Sequence, residues 1–201
     1  CWMCALGLWK LPYRVRPRQS SRNRMRLSQY MAFAAALVLP GIAYGQFAAT
    51  GTTTVSVSIG AEASLQVNTS TTTLTSSGIF ADYTGTTSLT YKIRTTQSTG
   101  SGTITLKVTT DFSPANGPSV ASPPTGGDTL AYTCTVSAPG TACSGSQTSS
   151  TASSTSVATF GAGASSALAG NSASVAWTLK NDPAYKTGAY TATVTFTVSA
   201  T

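Results

Sequence analysis

The sequence predicts an all-β protein, an antiparallel β-sandwich of immunoglobulin-like type with about eight or nine strands. Apolar residues alternate with Thr and Ser along most of residues 46–201, which is the period of a half-buried strand. The alternating stretches are rich in Val, Ile and Thr, which suit a pleated surface, and they show no helical period. A closed barrel is the alternative architecture, because strand number and spacing do not separate the two.

Residues 25–45, MRLSQYMAFAAALVLPGIAYG, predict a secretory signal peptide. A positive start at Arg26 is followed by the uncharged apolar residues 31–39, and then by a helix breaker and small residues. This apolar run is shorter than the roughly 18 residues that span a bilayer, and a short buried helix is the alternative. We expect cleavage between Gly45 and Gln46, export to the periplasm, cell surface or extracellular space, and no stable membrane span in the mature chain.

The charges are divided unevenly between the leader and the rest of the chain. Residues 1–24 are expected to be an upstream extension outside the folded protein, and residues 46–201 a single domain. The net charge of +7 comes from seven cations before residue 46, whereas residues 46–201 hold five cations and five anions. A neutral domain lacks the basic patch that binds phosphates, so nucleic acid is not an expected partner.

The predicted strands of the first half follow one another in four alternating stretches. Their apolar positions are Val55, Val57 and Ile59; Ala63, Leu65 and Val67; Leu89, Tyr91 and Ile93; and Ile104, Leu106 and Val108. Gly60 separates the first stretch from the second. Residues 96–102, TQSTGSG, predict a short hairpin connection between the third and the fourth.

The second half begins with the longest irregular segment and ends on the clearest strand. Residues 110–128 hold four prolines, which remove backbone donors that a central strand needs, so they predict a long loop. The apolar positions of the later strands are Leu130, Tyr132, Cys134 and Val136; Val157 and Phe160; Ala173, Val175, Trp177 and Leu179; and Tyr190, Ala192, Val194, Phe196, Val198 and Ala200.

Cys134 and Cys143 are predicted to form a disulfide. Export would place both in an oxidising compartment, and Ala-Pro-Gly between them predicts a turn that returns the chain. The alternative is a buried free thiol at Cys134, on the apolar face of its strand.

Two segments, ADYTGTTSLTYKI at residues 81–93 and KTGAYTATVTFTVSAT at residues 186–201, carry a family resemblance. With the Val/Leu-rich opening strand and the export signal, they resemble the spore coat protein U domain, a family that includes the pilins of archaic chaperone-usher fimbriae. The resemblance implies a structural or adhesive surface subunit. Its implied partners are copies of itself, other surface subunits and a periplasmic chaperone.

In those fimbriae, the extended N-terminal segment of one subunit completes the incomplete sandwich of its neighbour. Residues 52–59 have the required character, because they are uncharged and place Val55, Val57 and Ile59 at alternate positions. We therefore expect a candidate donor strand here. The alternative is that the same residues form the first strand of their own domain.

No catalytic, cofactor or metal site is predicted. The chain has no His, so neither a Ser-His-Asp arrangement nor an imidazole ligand is available, and its carboxylates are scattered singly. Asp111 and Asn116 could bind calcium, but the Asp-x-Asp-x-Asp-Gly pattern is missing and loop capping is the favoured interpretation. We expect a protein that is not an enzyme and needs no cofactor.

A secreted carbohydrate-binding module is the second function class. Sugars stack on exposed aromatic rings, and most aromatic residues here fall on apolar strand faces. Phe112 and Tyr185 are the two that the sequence places in loops. They are the candidate ligand-binding residues of this alternative.

Overall fold

A computed structural model of the chain describes residues 52–201, and the regular elements in that range are β-strands. They are β1 (Glu62–Val67), β2 (Thr75–Ser76), β3 (Tyr83–Arg94), β4 (Gly102–Ser113), β5 (Ala131–Val136), β6 (Thr141–Ala142), β7 (Gln147–Thr148), β8 (Thr155–Phe160), β9 (Asn171–Leu179) and β10 (Thr191–Ala200). Within this range no helix is long and apolar enough to cross a membrane. The upstream extension, the signal peptide and the Gly45/Gln46 cleavage site lie outside the described residues.

The strands form two antiparallel sheets. The first has the order β1-β3-β9-β5-β7, with the short β2 also paired to β3, and the second has the order β10-β4-β8-β6. The all-β prediction is confirmed, and the two sheets are consistent with the predicted β-sandwich. There are ten strands instead of eight or nine, because three two-residue strands carry too little alternation to be seen in the sequence.

One apolar core lies between the sheets, in residues 54–201, which form one compact unit. Its largest fully buried members come from alternate positions of the central strands, as a period of two requires. They are Leu89 and Tyr91 of β3, Ile104, Leu106 and Val108 of β4, Tyr132 of β5, Val157 of β8 and Val175 of β9. The half-buried strand prediction is therefore correct for these elements.

The predicted hairpin at residues 96–102 is wrong. A hairpin needs two strands that pair with each other, but β3 belongs to the first sheet and β4 to the second. The connection instead crosses from one sheet to the other. Buried Thr95 holds it in place, because its hydroxyl donates to the Gly161 carbonyl at 2.7 Å and accepts from the Ala164 N–H at 2.8 Å.

Two further boundaries differ from the predictions. Residues 52–61 form no strand, although Val55, Val57 and Ile59 alternate with Ser, and the first strand begins at Glu62. At the other boundary, β4 continues to Ser113, so the first residues of the predicted loop are strand. Alternation alone could not place either boundary, because it does not tell whether a neighbouring strand is present to pair.

The two long sides of the sandwich differ. On one side, Cys134 of β5 in the first sheet is bonded to Cys143, which follows β6 of the second, with an S–S distance of 2.05 Å. The predicted disulfide is therefore present, and it joins the sheets. On the other side, β1 and β10 lie close to each other as the outermost strands of their sheets. No covalent link joins the sheets on this side within residues 52–201.

Candidate functional site: the open edge of the sandwich

The last strand, β10, buries its apolar face only in part. Its inward positions are Ala192, Val194, Phe196, Val198 and Ala200, and each remains half-buried. In β4, which is its hydrogen-bonded neighbour, the positions paired with Val194, Phe196 and Val198 are fully buried. The difference follows from position in the sheet, because β4 has a strand on both sides whereas β10 pairs with β4 alone.

The first strand, β1, shows the same incomplete burial. Ala63 and Leu65 are half-buried, and Val67 is 43% exposed. Among the described strands, β1 pairs with β3 on one edge and with nothing on the other. We call the apolar faces and unpaired backbone edges of β1 and β10 the open edge. Unpaired N–H and C=O groups of this kind can accept a further strand.

The segment just before β1 is exposed and carries apolar residues at alternate positions. In residues 54–59, which we call the donor segment, Val55 is 88% exposed, Val57 82% and Ile59 63%. Isolated exposed apolar residues are common on protein surfaces, but three at alternate positions are the pattern of one strand face. These side chains therefore lie outside the core of their own chain.

The donor segment is held at its root by one side chain of β3. Arg94 donates from Nε to the Gly60 carbonyl at 2.9 Å and from a guanidinium nitrogen to Oε2 of Glu62 at 2.7 Å. Both side chains of this ion pair are well exposed to solvent. Arg94 is not among the residues predicted from the sequence, and no local pattern could have found it, because Arg94 and Gly60 are far apart in the chain.

Neither of the two candidate sugar-binding aromatics, Phe112 and Tyr185, is a fully exposed loop residue. Phe112 lies in β4, and its ring packs against the core. Tyr185 does lie in a loop but is half-buried, and its hydroxyl is buried without a hydrogen-bond partner. Desolvation and the nearby carboxylates of Asp128 and Asp182 raise the pKa of Tyr185 to about 12. Both side chains are thus half-buried, whereas sugars stack on exposed rings.

Asp111 organises the long loop after β4. Its carboxylate accepts hydrogen bonds from the Ser119 hydroxyl at 2.7 Å and from the backbone N–H groups of Phe112, Val120 and Ala121 at 2.8 to 3.1 Å. Burial by itself raises the pKa of Asp111, but these four hydrogen bonds outweigh it and lower the pKa. Asp111 thus caps the loop, as the favoured interpretation expected.

The long loop also contacts the loop before β10. The Lys186 N–H donates to the Asn116 carbonyl at 3.1 Å, and the Thr125 hydroxyl donates to Asp182. Gly117 lies so close to the Tyr190 ring that a Cβ there would come within 2.2 Å of it. Across residues 52–201, no group of three His, Cys, Asp or Glu side chains could hold a metal ion. The contacts between the loops are therefore those of a packed end of the sandwich.

Comparisons of the chain with protein-family models, with curated proteins and with solved structures found no match. The geometry of the described residues therefore carries the functional interpretation. Its two distinctive features are the open edge and the exposed donor segment.

Proposed function

We propose that this protein is an exported, non-enzymatic structural or adhesive subunit of a cell surface, with an immunoglobulin-like sandwich similar to the spore coat protein U domain and fimbrial subunits. Its partners are copies of itself or other surface subunits, delivered by a periplasmic chaperone. One observation carries the proposal. The chain presents both an incompletely buried sheet edge and, next to it in sequence, an unburied apolar segment that could fill such an edge.

The length of the donor segment suits the length of the β10 edge. Six extended residues span about 20 Å, at roughly 3.3 Å per residue. The donor segment can therefore lie along most of β10, which has 10 residues. Its apolar residues recur with the same period of two as Val194, Phe196 and Val198. The apolar face of the added strand would thus continue the half-buried face of β10 over those six residues.

The energetics favour this pairing. Burial of a Val or Ile side chain contributes about 1.5 to 3 kcal/mol, so three such side chains offset much of the entropy that association costs. Backbone hydrogen bonds to the edge of β10 would fix the register, and the alternate side chains would give specificity. The absence of charged side chains in the donor segment means that no ion has to be desolvated.

Export is supported by two independent features. The signal-peptide pattern of residues 25–45 directs the chain out of the cytoplasm. The Cys134–Cys143 disulfide is of the kind that persists in oxidising compartments.

Val57→Asp tests the proposal. A carboxylate in the middle of the donor segment has to be desolvated on insertion, so we expect assembly of the purified protein to weaken at least tenfold. Multi-angle light scattering over a range of concentrations measures the assembly. Ile79→Asp is the matched control, because Ile79 is 94% exposed and lies outside both the donor segment and the open edge.

We expect Ile79→Asp to assemble as the unmodified protein does. Equal assembly of the Val57→Asp and Ile79→Asp variants would refute strand donation. A protein that remains monomeric at every concentration would refute self-assembly itself.

A further inference from the structure

The direction in which the donor segment leaves the domain decides whether it can fill the open edge of its own chain or that of a second copy. Two residues, Gly60 and Ala61, separate Ile59 from the start of β1. A two-residue loop is enough to form a hairpin, and a Cβ at Gly60 would meet nothing within 4 Å. The segment of a chain could therefore turn back beside β1 and occupy the open edge of that same chain.

The contacts of Arg94 oppose this reversal. Arg94 is on β3, which lies on the side of β1 away from the open edge. Its hydrogen bond to the Gly60 carbonyl therefore draws the root of the donor segment away from that edge. The ion pair with Glu62, which is the residue paired with Arg94 across β1 and β3, holds the guanidinium in position.

Strand direction opposes pairing of the segment with β10 of its own chain, although not with β1. The start of β1 and the end of β10 lie at the same end of the sandwich, because Glu62 pairs with Arg94 and the Thr201 carbonyl accepts from the nearby Thr96 N–H. A segment that entered its own open edge would consequently run antiparallel to β1 but parallel to β10. A segment from a second copy is free to run antiparallel to β10, which is the more stable pairing per residue.

We infer that Arg94 is a positioning residue that keeps the donor segment out of its own open edge, so that the segment is offered to a second copy of the chain. This inference rests on the proposed function, since it concerns the same edge and the same segment. The Gly60 hydrogen bond sets the direction of the segment, and Glu62 supports it.

Arg94→Gln tests the inference in the dilute, monomeric protein. Loss of an exposed ion pair and its hydrogen bond is expected to increase the self-inserted population about threefold to tenfold. Hydrogen exchange of the amides of residues 54–59 measures this population, because self-insertion protects them. Lys180→Gln is the matched control, because it removes a second exposed ion pair, the one with Asp82, without touching the donor segment.

A second variant separates the two contacts of Arg94. Glu62→Gln removes the ion pair but leaves the hydrogen bond to Gly60, so we expect a smaller increase in protection than in Arg94→Gln. Equal exchange in Arg94→Gln and Lys180→Gln would overturn the inference, as would full exposure of residues 54–59 in every variant. Because exchange is measured on monomers, it tests the role of Arg94 even if the assembly experiment with Val57→Asp refutes the proposed function.

Discussion

At the scale of single residues, several buried polar groups of this protein find partners across elements that are distant in sequence. Trp177 donates from Nε1 to the Thr87 hydroxyl at 2.8 Å, and Thr87 shares a further hydrogen bond of 2.6 Å with Thr72. Tyr132 donates to the Ser156 carbonyl at 2.8 Å. Such partners matter because a buried polar group left unpaired costs about 1 to 3 kcal/mol.

Asp111→Asn is the residue-scale prediction. An amide can accept with only one of its two polar atoms, so the four-donor arrangement is lost, and we expect the free energy of unfolding at pH 7 to fall by about 1 to 3 kcal/mol. Chemical denaturation measures this change. Asp82→Asn is the control, because the Asp82 carboxylate makes an exposed ion pair with Lys180, which is worth at most about 1 kcal/mol.

The loss of stability in Asp111→Asn depends on pH, because the pKa of Asp111 is lowered in the folded protein. The unfolded chain has the ordinary Asp pKa of about 3.9, so the stabilisation by Asp111 is complete above that value. It is lost as the pH falls through the lower folded-state pKa. We therefore expect the difference in free energy of unfolding between the unmodified protein and Asp111→Asn to shrink on acidification. A difference that stays constant down to about pH 2 would contradict the assigned role.

At the scale of elements, the closed side of the sandwich depends on a covalent link between very short strands. β6 and β7 have two residues each, so they contribute few ladder hydrogen bonds. The Cys134–Cys143 bond spans a sequence separation of 9 and joins β5 to the chain just after β6. It therefore stabilises a side on which strand pairing alone is weak.

The double variant Cys134→Ala with Cys143→Ala gives the element-scale prediction. Opening a loop of this size removes about 2.5 to 3 kcal/mol of stability in the chain-entropy model. Thermal unfolding of the variant should show a lower midpoint with a single cooperative transition. The reduced unmodified protein serves as the control, and an unchanged midpoint in both samples would contradict a stabilising role.

At the scale of the whole molecule, the sandwich is closed on one side and open on the other. The buried residues cluster in β3, β4, β5, β8 and β9, whereas the apolar faces of β1 and β10 are only half-buried. The core can therefore form without the donor segment, whose apolar side chains are exposed and are not among the core residues.

Deletion of residues 46–59 is the prediction at this scale. The truncated protein should unfold cooperatively, with a midpoint close to that of the monomeric full-length protein, but it should not assemble. Circular dichroism and light scattering measure the two properties. If the truncated monomer lost cooperative unfolding, residues 52–59 would belong to the core of their own domain, which is the alternative that the sequence left open.

The amino-acid sequence was sufficient to predict the all-β class, the inward positions of the central strands and the Cys134–Cys143 pair. These follow from local properties, because alternation sets which side chains share a face and a short separation with a turn brings two cysteines together. Local alternation could not distinguish Val55, Val57 and Ile59, which are exposed, from Leu89, Tyr91 and Ile93, which are buried. Burial depends on which strands become neighbours. The tertiary contacts were therefore needed to show that β3 and β4 lie in different sheets, that β1 and β10 each keep an unpaired edge, and that Arg94 contacts Gly60.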